Sequence, residues 1–152
     1  MNAECVLVVQ FCDDVRQEVG NKVSFMGCYG GELLVESLPG ILPKLCAQVR
    51  LITPKERPLE RATLRAVLND EQIAELELPV AQLNATVRFE DAESTRITYG
   101  AIMSFAPFVF DKEGSLRLEA DTDSGLIKGG RLRLMLAETY RKALEASAKI
   151  DG

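Results

Sequence analysis

The 152-residue chain contains no histidine. That absence removes Ser-His-Asp and Cys-His nucleophilic arrangements, imidazole acid–base work and the commonest zinc-ligand sets. It also has no Cys-x-x-Cys pair: Cys5, Cys12, Cys28 and Cys46 lie 7, 16 and 18 positions apart. They read as reduced thiols used as small apolar side chains in a cytoplasmic protein. No long hydrophobic run is present, because Val6–Val9 is too short for a signal core or a membrane span. Positive charge is in deficit as well. A net charge of −5 speaks against nucleic acid as partner, since neutralising phosphates needs surplus Lys and Arg. Gly27-Cys28-Tyr29-Gly30-Gly31 and Lys128-Gly129-Gly130-Arg131 match neither a dinucleotide fingerprint nor a phosphate loop and read as turns. The expectation is a chain without catalytic residues, metal ligands or a cofactor, and without a membrane segment.

What is present is alternation. Length and composition predict one domain over 1–152, long enough to bury a core unaided. Glu4–Cys12 reads as a strand apolar on both faces, with Cys5, Leu7, Val9 and Phe11 on one side and Val6, Val8 and Cys12 on the other. Its second face must be covered by something: the C-terminal helix, the segment Ala81–Ala92, or a second copy of the chain. Asp13–Asn21 is expected to be a polar connection. Lys22–Tyr29 and Glu32–Glu36 then form a hairpin about Gly30-Gly31, and Leu38–Pro43 is a loop. Lys44–Ile52, Ala62–Leu68, Ile73–Leu78 and Arg96–Phe105 read as further strands. Ala81–Ala92 fits strand or helix equally.

In the last hairpin, Leu116, Leu118 and Ala120 face the core from one arm, and Leu132, Leu134 and Leu136 from the other. Glu119 is placed to pair with Arg131 or Arg133. Over about 137–150 the period changes, and Ala137, Tyr140, Leu144 and Ala148 form a helical stripe. The expected fold is mostly β: an antiparallel two-sheet β-sandwich, immunoglobulin-like or similar, with a C-terminal α-helix.

Two features point to contact with a partner. Lys44, Arg50, Lys55, Arg57, Arg61 and Arg65 face only Glu56 and Glu60 in sequence, a local +4 on a chain whose remainder carries −9. Such asymmetry steers an acidic partner. Phe105, Phe108 and Phe110 surround the strand-breaking Pro107, and an exposed aromatic patch at a sheet edge would mark an interface. Lys44, Arg50, Arg57, Arg61, Arg65, Phe105, Phe108 and Phe110 are therefore the candidate partner-binding residues.

The run Cys12-Asp13-Asp14-Val15-Arg16-Gln17-Glu18-Val19-Gly20-Asn21-Lys22 is followed by Ser24, Gly27 and Tyr29, then Leu38-Pro39, Ile41-Leu42-Pro43 and Lys44. It resembles a family of small bacterial proteins known as a domain of unknown function. The resemblance covers most of the chain, weakens after about Asp70 and returns in the final hairpin. It implies a compact β-sandwich and assigns no catalytic residue. The leading expectation is a non-enzymatic protein-interaction module that binds a protein partner, or itself, through a sheet face or edge. One alternative is a calcium- or lipid-dependent sandwich domain using Asp13, Asp14, Asp111, Asp121 and Asp123. These five are not expected to converge, because Asp111 and Asp121–Asp123 flank one strand. Another alternative is a carboxylate-based enzyme of unrecognised type.

Overall fold

Period-2 alternation organises the molecule around β5 (Leu45–Pro54), whose Leu45, Ala47, Val49 and Leu51 are fully buried while Arg50 points to solvent. The computed structural model describes residues 4–86 and 93–151. β5 pairs antiparallel with β1 (Val6–Glu18) on one side and with β8 (Arg96–Phe105) on the other. β2 (Lys22–Cys28) adds to β1, giving a four-stranded sheet in the order β2-β1-β5-β8.

The second sheet joins β3 (Glu32–Val35), β11 (Gly125–Leu136), β10 (Gly114–Thr122), β6 (Ala62–Leu68) and β7 (Glu71–Glu77) in that order. A short ribbon pairs β4 (Gly40–Leu42) with β9 (Phe108–Phe110). Leu7, Phe11, Val49, Leu51 and Tyr99 of one sheet and Leu64, Leu116, Leu118, Leu132 and Leu134 of the other belong to a single core cluster. The fold is thus a mostly-β, two-sheet sandwich closed by a C-terminal helix, α2 (Ala137–Asp151). Complete burial of a leucine of this kind contributes roughly 1.5–3 kcal/mol, so these positions dominate the stability.

Several local expectations are corrected. β1 does not stop at Cys12 but runs to Glu18, and the stretch read as a polar connection is strand. Its polar half pairs with β2 alone, so neither side of it needs an apolar face. β2 and β3 are not a hairpin. β2 pairs back onto β1, whereas β3 crosses to the other sheet and runs parallel to β11. The segment 38–43 contains β4 rather than loop alone.

Gly129 and Gly130 do not form the last turn, which lies at Asp123-Ser124. They sit inside β11, where a register shift opposite Leu118 marks a bulge. A side chain at Gly129 would meet Leu7 at 2.7 Å and the Leu118 carbonyl at 3.0 Å, so only glycine lets β11 approach β1 there. Because of the shift Glu119 stands opposite Lys128, not Arg131 or Arg133. Of the ambiguous segment, Val80–Thr86 is helix (α1), and 87–92 lie outside the described residues.

α1 is held by a closed polar knot. Tyr99 Oη donates to Asn84 Oδ1 (2.7 Å), Asn84 Nδ2 donates to the Leu59 carbonyl (2.9 Å), and the Leu59 N–H donates to Tyr99 Oη (3.0 Å). Each buried polar group therefore finds a partner within one triangle. Among the described residues neither helix packs extensively on β1: α2 lies mainly against β11 and β3, and residues 141–150 are exposed along their whole length.

Candidate functional site

Register and alternation define the outer face of the four-stranded sheet without ambiguity. Leu7 and Phe11 point into the core, so Val6, Val8, Gln10 and Cys12 lie on the opposite face, exposed at Val6 and Val8 but covered at Cys12 and its neighbour Cys46. Across β1, β5 and β8 they form four rungs: Val6–Ile52–Thr98, Val8–Arg50–Gly100, Gln10–Gln48–Ile102 and Cys12–Cys46–Ser104. Arg50 is the one charged side chain among the twelve. Val6 is 43% exposed, Val8 37% and Ile102 39%. β8 is the terminal strand of this sheet, and no charge interrupts it between Ile97 and Phe105. A sheet face whose branched aliphatic side chains meet water, beside an uncharged edge strand, has the character of a contact surface.

The outer face of the five-stranded sheet is built from the opposite chemistry. One rung reads Glu75–Arg65–Glu119–Lys128, alternating in sign across β7, β6, β10 and β11. Next to it run Glu77–Thr63–Asp121–Leu126 and Gln72–Val67–Arg117–Arg131. Asp121 accepts Arg65 at 3.3 Å and lies 3.4 Å from Arg61; Arg117 lies 3.7 Å from Glu119. Partly exposed pairs of this kind contribute roughly 0–1 kcal/mol each. Their larger effect is to keep the face wetted, because covering it would strip water from many charges at once.

The basic candidates do not form one patch. Arg50 stands on one outer face, Arg65 on the other, and Arg61 just before β6; the Arg61 and Arg65 charges are met by Asp121. Lys44 binds Asp14 at 2.7 Å. That bond holds the ammonium above its ordinary range and the carboxyl below its own. Arg57 lies in the turn after β5. It lines a cleft of about 300 Å³ with Glu4, Cys5, Thr53, Ser124 and Leu126. Contiguity in sequence misled here because β5 and β6 belong to different sheets.

The phenylalanines are corrected too. Phe108 and Phe110 are 2% and 1% exposed and belong to the core. Phe105, Phe108 and Phe110 pack in a tilted stack with centroids 6.0 and 5.8 Å apart. The Phe110 ring lies directly on Gly40, its partner in the β4–β9 ribbon, which leaves no room for a side chain there. They plug the sandwich rather than present a patch.

The aspartates are engaged individually. Asp13 accepts the Tyr29 hydroxyl (2.6 Å), and Asp14 takes Lys44. Asp123 caps the backbone N–H groups of Glu60 and Arg61 at 3.0 and 3.1 Å. Burial opposes ionisation of Asp123, but those amides outweigh it and hold the carboxyl below its usual range. Asp111 and Asp121 flank β10 at its two ends, as the sequence implied. Among the described residues no group of three or more Cys, Asp or Glu side chains is arranged to hold a metal ion. The Cys5 thiol in the cleft beside Arg57 is pushed up by burial, the reverse of an activated nucleophile. Among the described residues no helix is long and apolar enough to cross a membrane.

No family model matches the chain, and no curated protein matches it. One solved structure is similar, the CARDB domain of a Pyrococcus furiosus protein in complex with di-metal ions. It is 8% identical, with a TM-score of 0.41, over 88% of this chain and 94% of that one.

Proposed function

We propose that this protein is a non-enzymatic, cytoplasmic interaction module of the small bacterial β-sandwich family that most of its chain resembles. It binds a protein partner, a second copy of itself included, through the outer face of β1, β5 and β8 and the adjoining β8 edge. The observation that carries this reading is the uncovered rungs around Val6, Val8, Ile52 and Ile102. A strand apolar on both faces is ordinarily covered on both, and among the described residues neither helix packs extensively on β1, while Val6, Val8 and Ile102 stay more than a third exposed. Removing the four rungs from water costs the desolvation of one arginine, Arg50, and gains about 25 cal/mol for each Å² of apolar area.

The test pairs light scattering with affinity capture from the host, using wild type, Val8→Glu and Arg65→Glu. Wild type and Arg65→Glu should retain the same assembly or captured protein, and Val8→Glu should lose it. Retention by Val8→Glu, or loss only with Arg65→Glu, would overturn the assignment.

A further inference from the structure

Three of the four cysteines stand in register across neighbouring strands: Cys28 on β2, Cys12 on β1 and Cys46 on β5. Side chains of directly opposed residues lie on one face, so the three thiols form a row. The two pairs in that row are not equivalent. The Tyr29 N–H donates to the Phe11 carbonyl at 2.9 Å. That bond joins the positions flanking Cys12 and Cys28, which makes Cys12–Cys28 a non-hydrogen-bonded pair. Such pairs bring Cα atoms to about 4.5 Å with side chains close, within the range of about 4.4–6.8 Å that a disulfide spans.

The backbone N–H and C=O of Cys12 therefore point the other way, toward β5, and Cys12–Cys46 is the wider, hydrogen-bonded pair, with Cα atoms about 5.5 Å apart. Access divides the row as well. Cys28 is exposed, whereas Cys12 and Cys46 are buried. Cys28 is the last residue of β2, and Cys12–Cys28 closes the base of the hairpin arm formed by 13–27.

We propose that Cys28 is a thiol-modification site that reacts with low-molecular-weight disulfides and passes the modification to Cys12, closing a disulfide across the base of the β1–β2 arm. In the first step the Cys28 thiolate attacks one sulfur of oxidised glutathione. The Cys28–glutathione bond forms, the glutathione S–S bond breaks, and one glutathione leaves as the thiol after taking up a proton. In the second, the Cys12 thiolate attacks Cys28 Sγ and expels the second glutathione, which is protonated in turn. The two protein thiols lose two electrons and two protons, and these reduce one glutathione disulfide to two thiols. Burial, then the neighbouring Cys46 and Cys28, push the Cys12 thiol up to about 11. Closure therefore quickens as pH rises, following the thiolate fraction of Cys12.

The experiment incubates the full chain, in a Cys5→Ser background, with oxidised glutathione, blocks free thiols and maps tryptic peptides without reduction. The background is needed because Cys5 and Cys12 share the tryptic peptide 1–16. The expected product links peptide 1–16 to peptide 23–44, at a mass two hydrogens below their sum, with 45–50 unlinked. Adding Cys12→Ser should abolish the link and leave glutathione on Cys28. Adding Cys46→Ser should leave the link intact and shows that folding is not the variable. A link to Cys46, glutathione remaining on Cys28 in the background chain, or three unreacted thiols would each overturn the proposal.

Discussion

The two outer faces of this sandwich are made by the same pleat and carry opposite chemistry. Across β6, β7, β10 and β11 every rung carries charge, and one, Glu75–Arg65–Glu119–Lys128, alternates in sign throughout. Across the four rungs from Val6–Ile52–Thr98 to Cys12–Cys46–Ser104 the corresponding positions are Val, Ile, Gln, Cys, Thr, Ser and Gly, with Arg50 as the single charge there and Arg96 at the end of β8 beyond them. A charged ladder is satisfied by its own neighbours and by water and gains little from a partner. An aliphatic face has nothing to gain from water. The run of basic residues between Lys44 and Arg65 is divided between the two sheets, with Arg50 on one and Arg65 on the other. The informative quantity is which strand face lacks charge once register is known.

The comparison can be broken in several ways. The largest effect is expected at the core between the faces. Phe110→Ala should cost about 3–5 kcal/mol by chemical denaturation, since it removes a ring packed on Gly40 and Phe108. A small loss there would return the aromatic cluster to the list of surface candidates. Next, Ile102→Glu should weaken partner binding by about tenfold or more, about 1.4 kcal/mol, because a carboxylate must then be desolvated at the interface. Its thermal midpoint should remain near that of wild type, as for most surface substitutions. Arg65→Ala should leave binding unchanged and cost at most about 1 kcal/mol of stability, read from the same denaturation curves.

The smallest effect is a pH dependence. Asp14 and Asp123 are held below the ordinary carboxylate range in the folded chain, by Lys44 and by backbone N–H groups respectively. A carboxyl with a lowered folded pKa contributes stability that is complete above the unfolded value, about 3.9, and lost as pH falls through the folded value. Stability should thus decline below about pH 4, and Asp123→Asn should reduce the difference between denaturation midpoints measured at pH 3 and pH 5.

Much of this architecture was legible because one-sided burial writes a period of two. β6 and β8 have the bounds that alternation gives, and the inward set of β5 is Leu45, Ala47, Val49 and Leu51 as read. What stayed hidden was non-local. Nothing near Glu32–Val35 signals parallel pairing with a strand a hundred residues away, whereas Gly30-Gly31 looks locally like a hairpin turn. Gly129-Gly130 carries turn chemistry yet serves a bulge, because the need for glycine comes from Leu7 on another sheet. Half of β1 escaped notice for a related reason: a ribbon projecting past its sheet buries neither face. Of the candidate site, the doubly apolar first strand was visible as a question. The answer required knowing that α2 packs on β11 and β3 instead.

Methyl NMR during titration with the captured partner, or on dilution of an assembly of copies, addresses the central claim most directly. The methyl signals of Val6, Val8, Ile52 and Ile102 should shift together, while those of Val67 and Leu126 on the opposite face stay fixed. Shifts confined to Val67 and Leu126, with the first four unmoved, would contradict it.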